Sequence, residues 1–458
     1  MKSGPRRSGR VVRRGDVAFD ALVDDSFNQA AGGRPRAVVL AESAGDVQAT
    51  VRTAAGEGAG VAVRATGHGP SVPLEGAYLI LTRRLDQVHV DVEARTATVA
   101  AGVCTQAVLD TADPHDLTPI AGSNPGVGLV GYTLGGGMGL LGRRFGFAAD
   151  RVHSMDVVTG DGELRRVTSD ADPALFWGLR ASRDNLGIVV AMTFGLVEVP
   201  PLLGGGLFFD APDAAAVADV LRRWVDWTHS VPEAMSSSIL VAAFPEGAPG
   251  VPEPVGGRTA VHVRIAHAGD PREGRRLVRA LEREGAALAN TVRPMRPRDG
   301  ASIHNEPPGP VSAYDRSLLL DDLEVHGLDA LAGALHDPTA IPLVVEVRHL
   351  GGAFARRAPN AAPIAARDAA YSLYTASVIE AGMAVEDLRA RHDAMHQPLR
   401  PHALRGGFLS FLGIGDTSPE QVATAFDPDD LARLRTLKRR YDPHDLFRFN
   451  HHISPSAD

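Results

Sequence analysis

The chain has 458 residues, room for two or three folded units around a large buried core, which excludes a peptide or a small disulfide scaffold. Forty-seven Lys and Arg against 55 Asp and Glu give a net charge of −8, spread without a long like-charge run, so nucleic acid is not an expected partner. One cysteine, Cys104, rules out an intrachain disulfide and a cysteine-based metal cluster.

Residues 1–14 carry Lys2, Arg6, Arg7, Arg10, Arg13 and Arg14 and no acid, and no apolar segment follows. The secretory pattern lacks its hydrophobic part, and the stretch reads as a frayed, disordered basic tail. No apolar run approaches the roughly 18 residues of a membrane span, so a soluble, cytoplasmic protein without a membrane partner is expected.

From residue 36 to about 200, strands and short helices mix. Ala37-Val-Val-Leu40 is a short apolar run, and Ser43-Ala-Gly-Asp46 has capping-box spacing ahead of Val47, Val51 and Ala54 at helical intervals. Val61-Ala-Val-Arg64 and Tyr78-Leu-Ile-Leu81 read as buried strands. Residues 88–92 and 96–100 alternate around Glu93-Ala-Arg95 as a hairpin, and residues 155–167 form another that turns at Gly160-Asp-Gly162. Val199-Pro-Pro-Leu-Leu-Gly-Gly-Gly206 punctuates the chain. Beyond it, residues 214–229 place Val217, Val220, Leu221, Trp224 and Val225 on one helical face, with Trp224 and Trp227 as core. Residues 259–268 and 341–350 are long extended runs, and the Gly/Pro-rich residues 245–257 read as a loop between strands. Residues 427–441 form an amphipathic helix stopped by Pro443, and the aromatic tail to Asn450 is expected to return to the first domain. The layout is α+β, without steady strand–helix alternation.

The densest signal is residues 122–139, Gly-Ser-Asn-Pro-Gly-Val-Gly-Leu-Val-Gly-Tyr-Thr-Leu-Gly-Gly-Gly-Met-Gly, with eight glycines in eighteen residues. Amides without side-chain cover let a phosphate or a flat ring approach the backbone, so a cofactor with a pyrophosphate is the natural guest. Gly126, Gly128 and Gly131 match the spacing of the dinucleotide fingerprint, with Asp150 about twenty residues on. The context fails: Pro119 to Pro125 is loop-like, and Leu134-Gly-Gly-Gly137 is a poor helix opening. A glycine-rich structural linker is the bland alternative. The second signal is Arg64-Ala-Thr-Gly-His-Gly69, where a His between glycines follows a buried strand and is left exposed by its own backbone. His392 and His396 have helical metal-ligand spacing, but no third ligand is evident and no metal is expected.

Together these stretches resemble the vanillyl-alcohol-oxidase/berberine-bridge-enzyme superfamily of FAD-dependent oxidoreductases, across nearly the whole chain. Residues 64–69 are similar to its R-x-G-G-H loop, whose His bonds the flavin; His68 is the match. Residues 122–139 resemble the glycine loop under the flavin and pyrophosphate. Arg143-Arg-Phe-Gly-Phe-Ala-Ala-Asp150, Ala174-Leu-Phe-Trp177, Asn185-Leu-Gly-Ile-Val-Val190, and Tyr441-Asp-Pro443 with Phe447-Arg-Phe-Asn450 and Ile453 resemble four further ordered motifs. The resemblance implies a two-part FAD-binding domain of the p-cresol methylhydroxylase type, at residues 15–203 and 412–458. It also implies an antiparallel-sheet substrate domain backed by helices at residues 204–411. FAD contacts are implied for Arg64, Ala65, Thr66, Gly67, His68, Gly69, Asn124, Val127, Gly128, Gly131, Thr133, Leu134, Gly135, Gly136, Gly137, Gly139, Gly187, Ile188, Val189 and Asn450.

The departures carry information too. Asn124 stands where doubly linked members have a second flavin-binding cysteine, so FAD is expected to be attached through His68 only, as in hydroxynicotine-oxidase-like members. Thr66 replaces a glycine, and Arg180-Ala-Ser-Arg-Asp184 replaces the usual R-G-G-G. Phe408-Leu-Ser-Phe411 lacks the phenol of the Y-x-N-Y segment. Tyr371-Ser-Leu-Tyr374 resembles the strand that carries a catalytic Glu in berberine-bridge-like members, and the resemblance makes Tyr371 the first candidate for a polar group over the flavin, followed by Tyr132 and His349, with Arg348 or His349 as the charge that would lower a phenol's pKa. The activity implied is hydride removal from a C–H next to O or N of a small organic molecule of secondary metabolism, with dioxygen as acceptor and hydrogen peroxide as product. The alternatives are a dehydrogenase with another acceptor, or a degenerate flavoprotein that binds without turnover. Oligomeric state is not legible.

Overall fold

The computed structural model describes residues 9–69, 72–199, 202–283, 285–306, 309–335 and 344–456. Parallel strands with apolar residues on both faces need cover on both sides, and the first sheet has it. Its strands run in the order Arg10–Arg13, Ala37–Leu40, Tyr78–Leu81, Val61–Arg64, with only Arg10–Arg13 antiparallel. On one face lie Val47, Val51 and Ala54 of the helix Ala44–Gly56, with Leu446 and Phe447 from the far end of the chain. On the other lie Val12 and Phe19. Ser43 caps that helix by accepting from the Asp46 amide.

The basic segment read as a frayed tail is, from Arg10, an edge strand. Residues 1–8 of that reading lie outside the described residues. Val12 is fully buried, while Arg14 donates to the carbonyls of Pro35 and Arg34 and pairs with Glu75. The run of positive charge masks one buried valine, which is enough to hold a four-residue edge.

A five-stranded antiparallel sheet follows, ordered Val88–Asp91, Thr96–Ala100, Ile188–Gly195, Val152–Val158, Leu164–Thr168, and the two hairpins expected from sequence form its two ends. The helix Pro428–Tyr441 packs Leu434, Leu437 and Tyr441 against Leu175, Trp177 and Leu186. Its Lys438 is fully buried and donates to Asp442 at 2.7 Å and to the carbonyls of Asn185 and Phe447. Asn185 in turn bonds the His451 carbonyl and the Ile453 amide, tying the tail to the first unit.

The second unit begins with Leu202–Asp210. Its antiparallel sheet runs Ala289–Asn290, Leu202–Asp210, Arg258–His267, Met235–Phe244, Val344–His349, Tyr371–Val378, Ala313–Leu320, and Arg293–Met295 also pairs with Leu202–Asp210. Residues 341–343 of the extended run expected there lie outside the described residues. Strand side chains alternate between faces. One face presents Ile239, Val241, Val261, Val263, Val345, Val347 and Leu373 to the helices Ala214–Thr228 and Val325–Leu335, with Trp224 and Trp227 in that core. The other face looks toward the glycine-rich loop. Among the described residues no helix is long and apolar enough to cross a membrane.

Candidate functional site

A cavity of about 1060 Å³ lies between the two units. Its walls are residues 63–69, the loop from Gly122 to Leu134, Arg183 to Asp184 with Ile188 and Val189, the closing residues Phe449 and Asn450, and the second sheet's free face. Two loops far apart in sequence meet because the strand Val61–Arg64 ends beside the glycine loop. Arg64 anchors the first loop by donating to the Leu22 and Val23 carbonyls.

His68 lies at this junction. Its ring stacks on Phe27 at 3.9 Å between centroids, and Nδ1 lies 2.8 Å from Thr66 Oγ1. The same hydroxyl accepts from the Gly128 amide at 3.3 Å, so the threonine that replaces a glycine of the resembled motif clips the two loops together. Nε2 is buried with no hydrogen-bond partner among the described residues, and burial lowers the imidazole to about 4, leaving it neutral at pH 7. Asn124 Oδ1 accepts from the Gly126 amide at 2.8 Å, a local turn that needs no thiol. Cys104 does not line the cavity; its backbone bridges to Gly128.

Fifteen of the sequence-derived site residues come together on this wall: Arg64 to Gly69, Asn124, Val127, Gly128, Gly131, Tyr132, Leu134, Ile188, Val189 and Asn450. Thr133, Gly135, Gly136, Gly137, Gly139 and Gly187 stand behind it. There they serve packing: a Cβ on Gly135 would meet Ser410 Oγ at 2.4 Å, and one on Gly137 would meet Ala148 at 2.6 Å and the Tyr132 ring at 3.0 Å. Gly136 and Gly137 also have φ of 107° and 71°, which L side chains rarely adopt. The glycines expected to cradle a pyrophosphate thus include several that let the loop fold under the roof.

The catalytic candidates separate by strand parity. Tyr371 shares its face with Leu373, so it is buried in the helix layer and its hydroxyl lies 2.7 Å from Thr228 Oγ1. His349 pairs directly across from it, takes Arg143 Nη1 at 2.7 Å, and is lowered to about 3 by burial first and then by that arginine. Neither lines the cavity. Tyr132 does; its hydroxyl is buried without a hydrogen-bond partner among the described residues, and burial pushes it well above the usual phenol range.

The face that does look into the cavity carries a row set by register: Phe208, His262, Leu240, Glu346, Tyr374 and Ser317 lie opposite one another across five pairings. Glu346 is the polar centre. It accepts from Arg264 at 2.9 Å, Arg348 at 2.8 Å and Ser238 at 2.8 Å, and His304 Nδ1 stands 3.6 Å away. Burial alone would raise this carboxyl, but Arg348 and Arg264 outweigh it and hold it well below the usual carboxylate range. Phe208 stacks on His262 at 4.0 Å, and Phe411 lies edge-on to Tyr374 at 5.9 Å with the Arg348 guanidinium 5.1 Å from its ring centre. Sequence reading missed Arg264, Asp315, Glu346 and Tyr374 as site residues. The available signal was alternation: in Val344-Val-Glu-Val-Arg-His349 the valines at 345 and 347 take the core, which turns Glu346 and Arg348 outward.

FAD fits these walls. His68 Nε2 and the Asn450 amide oxygen are buried without a hydrogen-bond partner among the described residues, and a Cβ on Gly131 would meet nothing within 4 Å, so that glycine leaves open space at the wall. The His392/His396 pair bonds Thr375 Oγ1 at 2.8 and 3.0 Å, and no three-ligand metal cluster forms among the described residues.

Comparison with known proteins finds relatives along nearly the whole chain. A family model described as FAD binding domain matches residues 35–168, and one described as berberine and berberine-like matches residues 410–454. The (R)-6-hydroxynicotine oxidase of Paenarthrobacter nicotinovorans is 27% identical over 466 residues, covering 98% of this chain and 97% of its own length. An FAD-linked oxidoreductase of Dictyostelium discoideum is 23% identical, covering 98% and 95%. Among solved structures, 6-hydroxy-D-nicotine oxidase from Arthrobacter nicotinovorans superposes with a TM-score of 0.86 at 24% identity over 100% of both chains. The xylooligosaccharide oxidase of Myceliophthora thermophila, in complex with xylobiose, does so with 0.84 at 21% identity over 98% of each.

Proposed function

Since the chain belongs to the FAD-linked, berberine-bridge-like oxidoreductases, we propose that it is an oxidase of a small organic molecule, removing a hydride from a C–H next to O or N, with dioxygen as the final acceptor and hydrogen peroxide as product. The observation that carries this reading is the single cavity in which the His68 and glycine loops face a polar row on the substrate sheet. FAD, when bound, supplies the two-electron chemistry, and the protein supplies position and electrostatics.

His68 is the attachment point in this reading, through one bond only, because Asn124 offers no thiol and Cys104 is off the wall. A neutral imidazole with Nδ1–H donating to Thr66 keeps a lone pair on Nε2, the form that can bond carbon. Thr66 holds that ring orientation. Across the cavity, Arg264 and Arg348 fix Glu346, so the polar floor presents a set of donors that needs no rearrangement when substrate arrives. Phe208, Leu240, Phe244 and Val251 line the same cavity as apolar surface, which favours a substrate with an apolar body and a polar reacting end.

The test is a visible spectrum of the purified protein followed by a substrate panel of secondary amines, alcohols and short sugars, 6-hydroxynicotine and xylobiose included, since relatives act on or bind these. Flavin bleaching without air, with oxygen uptake matched by peroxide in air, supports the oxidase. Bleaching without oxygen uptake identifies a dehydrogenase. A protein that no panel member bleaches behaves as a binding protein.

A further inference from the structure

Two phenols line the cavity, and they differ in where a proton could go. The Tyr132 hydroxyl is buried with no hydrogen-bond partner among the described residues, so a proton arriving there has no onward path. Tyr374 is turned into the cavity by strand parity, with its ring braced edge-on against Phe411. Ser317 pairs directly with Tyr374 on the adjacent strand Ala313–Leu320, which places Asp315 diagonally across from it on the same face, and Asp315 also lines the cavity. Gly413 passes close to its carboxyl: a Cβ there would come within 2.5 Å of Asp315 Oδ1, so the absence of a side chain leaves room for the acid.

We propose that Tyr374 and Asp315 form the proton relay of this site, Tyr374 touching the substrate and Asp315 acting through it. The proposal rests on the oxidase reading above. As two electrons leave the substrate carbon with its hydrogen as hydride to the bound flavin, the proton on the substrate O–H or N–H moves to the Tyr374 oxygen. The phenol's own proton moves to the Asp315 carboxylate. With FAD bound to take the hydride, the carbon–heteroatom single bond would become double and Asp315 would end neutral. It returns its proton to solvent before the next turnover.

The surroundings suit that role. Burial and the like charge of Asp416 raise Asp315, while the Tyr374 hydroxyl and Arg183 lower it, for a balance of about 7. Asp416 is itself held by Arg316 Nε at 3.0 Å. Around Tyr374 the charges are Asp315, Glu306 and Glu346, which disfavour a phenolate, and Arg348, which favours one. A standing phenolate is thus opposed, and concerted transfer to a carboxylate near the working pH is the favourable route.

The experiment uses the full-length holoenzyme and two readouts. In an infrared difference titration, a protonated-carboxyl band should titrate with a midpoint near 7 and vanish in Asp315→Asn. In Tyr374→Phe the midpoint should move up, because the hydroxyl favouring the carboxylate is gone. In the second readout, anaerobic flavin reduction by whichever panel member bleaches the wild type should speed up with pH through that midpoint. Both variants should be slower by about a hundredfold, the low end for acid–base catalysis. Asp315→Asn should lose the inflection, and Asp315→Glu should keep it. A wild type whose flavin no panel member reduces overturns the oxidase reading and the relay with it. Wild-type reduction with an unaltered pH profile in Asp315→Asn, or a carboxyl midpoint indifferent to Tyr374→Phe, overturns the relay alone.

Discussion

Tyr371 and Tyr374 sit three residues apart on one strand and face opposite ways: Tyr371 bonds Thr228 within the helix layer, and Tyr374 lines the cavity. An odd spacing on a strand separates two phenols by the full thickness of the sheet. Tyr371→Phe should therefore leave flavin reduction within a few-fold of wild type. It should cost about 1 kcal/mol of stability, the worth of one buried hydrogen bond. Stopped-flow reduction and urea unfolding of the same preparation check both; a hundredfold slower reduction would return Tyr371 to the site.

Acid precipitation tests the link at His68. Flavin should remain with the precipitated wild-type polypeptide and appear in the supernatant for His68→Ala. Thr66→Val, which removes the hydroxyl that orients the ring and holds the Gly128 amide, should give a mixture of bound and free flavin. Wild-type flavin found wholly in the supernatant would make His68 a non-covalent neighbour.

At Gly131 a side chain has space: its added Cβ meets nothing within 4 Å and its φ is not positive. Gly131→Leu should fold normally and lower the flavin-to-protein absorbance ratio, because the new side chain occupies the cavity wall. Full occupancy in a folded variant would move the cofactor away from this part of the loop.

Glu346 tests the polar floor. Glu346→Gln leaves the buried Arg264, and the partly buried Arg348 beside it, without their shared partner, and loss of one member of a buried pair costs about 3–5 kcal/mol. Chemical unfolding at neutral pH should show that loss, and a change below about 1 kcal/mol would mean the arginines find another partner or water.

His392 and His396 give the fold a pH dependence. Burial lowers them to about 4 and about 3, against roughly 6.5 in an unfolded chain. Below 6.5 the unfolded chain binds protons that the folded one refuses, so stability present above 6.5 is lost progressively as pH falls through about 4 and then about 3. His396→Gln should flatten that acid limb in urea titrations at stepped pH; an unchanged slope would assign the acid sensitivity to other groups.

What the sequence by itself determined is the local chemistry of the cofactor side. Glycine density, a His flanked by glycines, an Asn in place of a thiol and a closing aromatic motif are properties of contiguous residues, and the loops they specify line the cavity. Both hairpins and the face of the helix Ala214–Thr228 were legible for the same reason, since alternation and helical period are short-range. Strand parity was partly legible: Val345 and Val347 announce the core and turn Glu346 outward, yet a polar group beside the resembled motif drew attention to Tyr371 and His349 instead. Only tertiary structure decided which glycines touch the cavity and which merely clear a path for Tyr132 or Ser410, because that depends on how the loop folds on itself and, for Gly135, on a residue 275 positions away. It alone brought Asp315, Tyr374 and Phe411 together, since cross-strand register and a returning C-terminal segment set their spacing, and no local pattern encodes either.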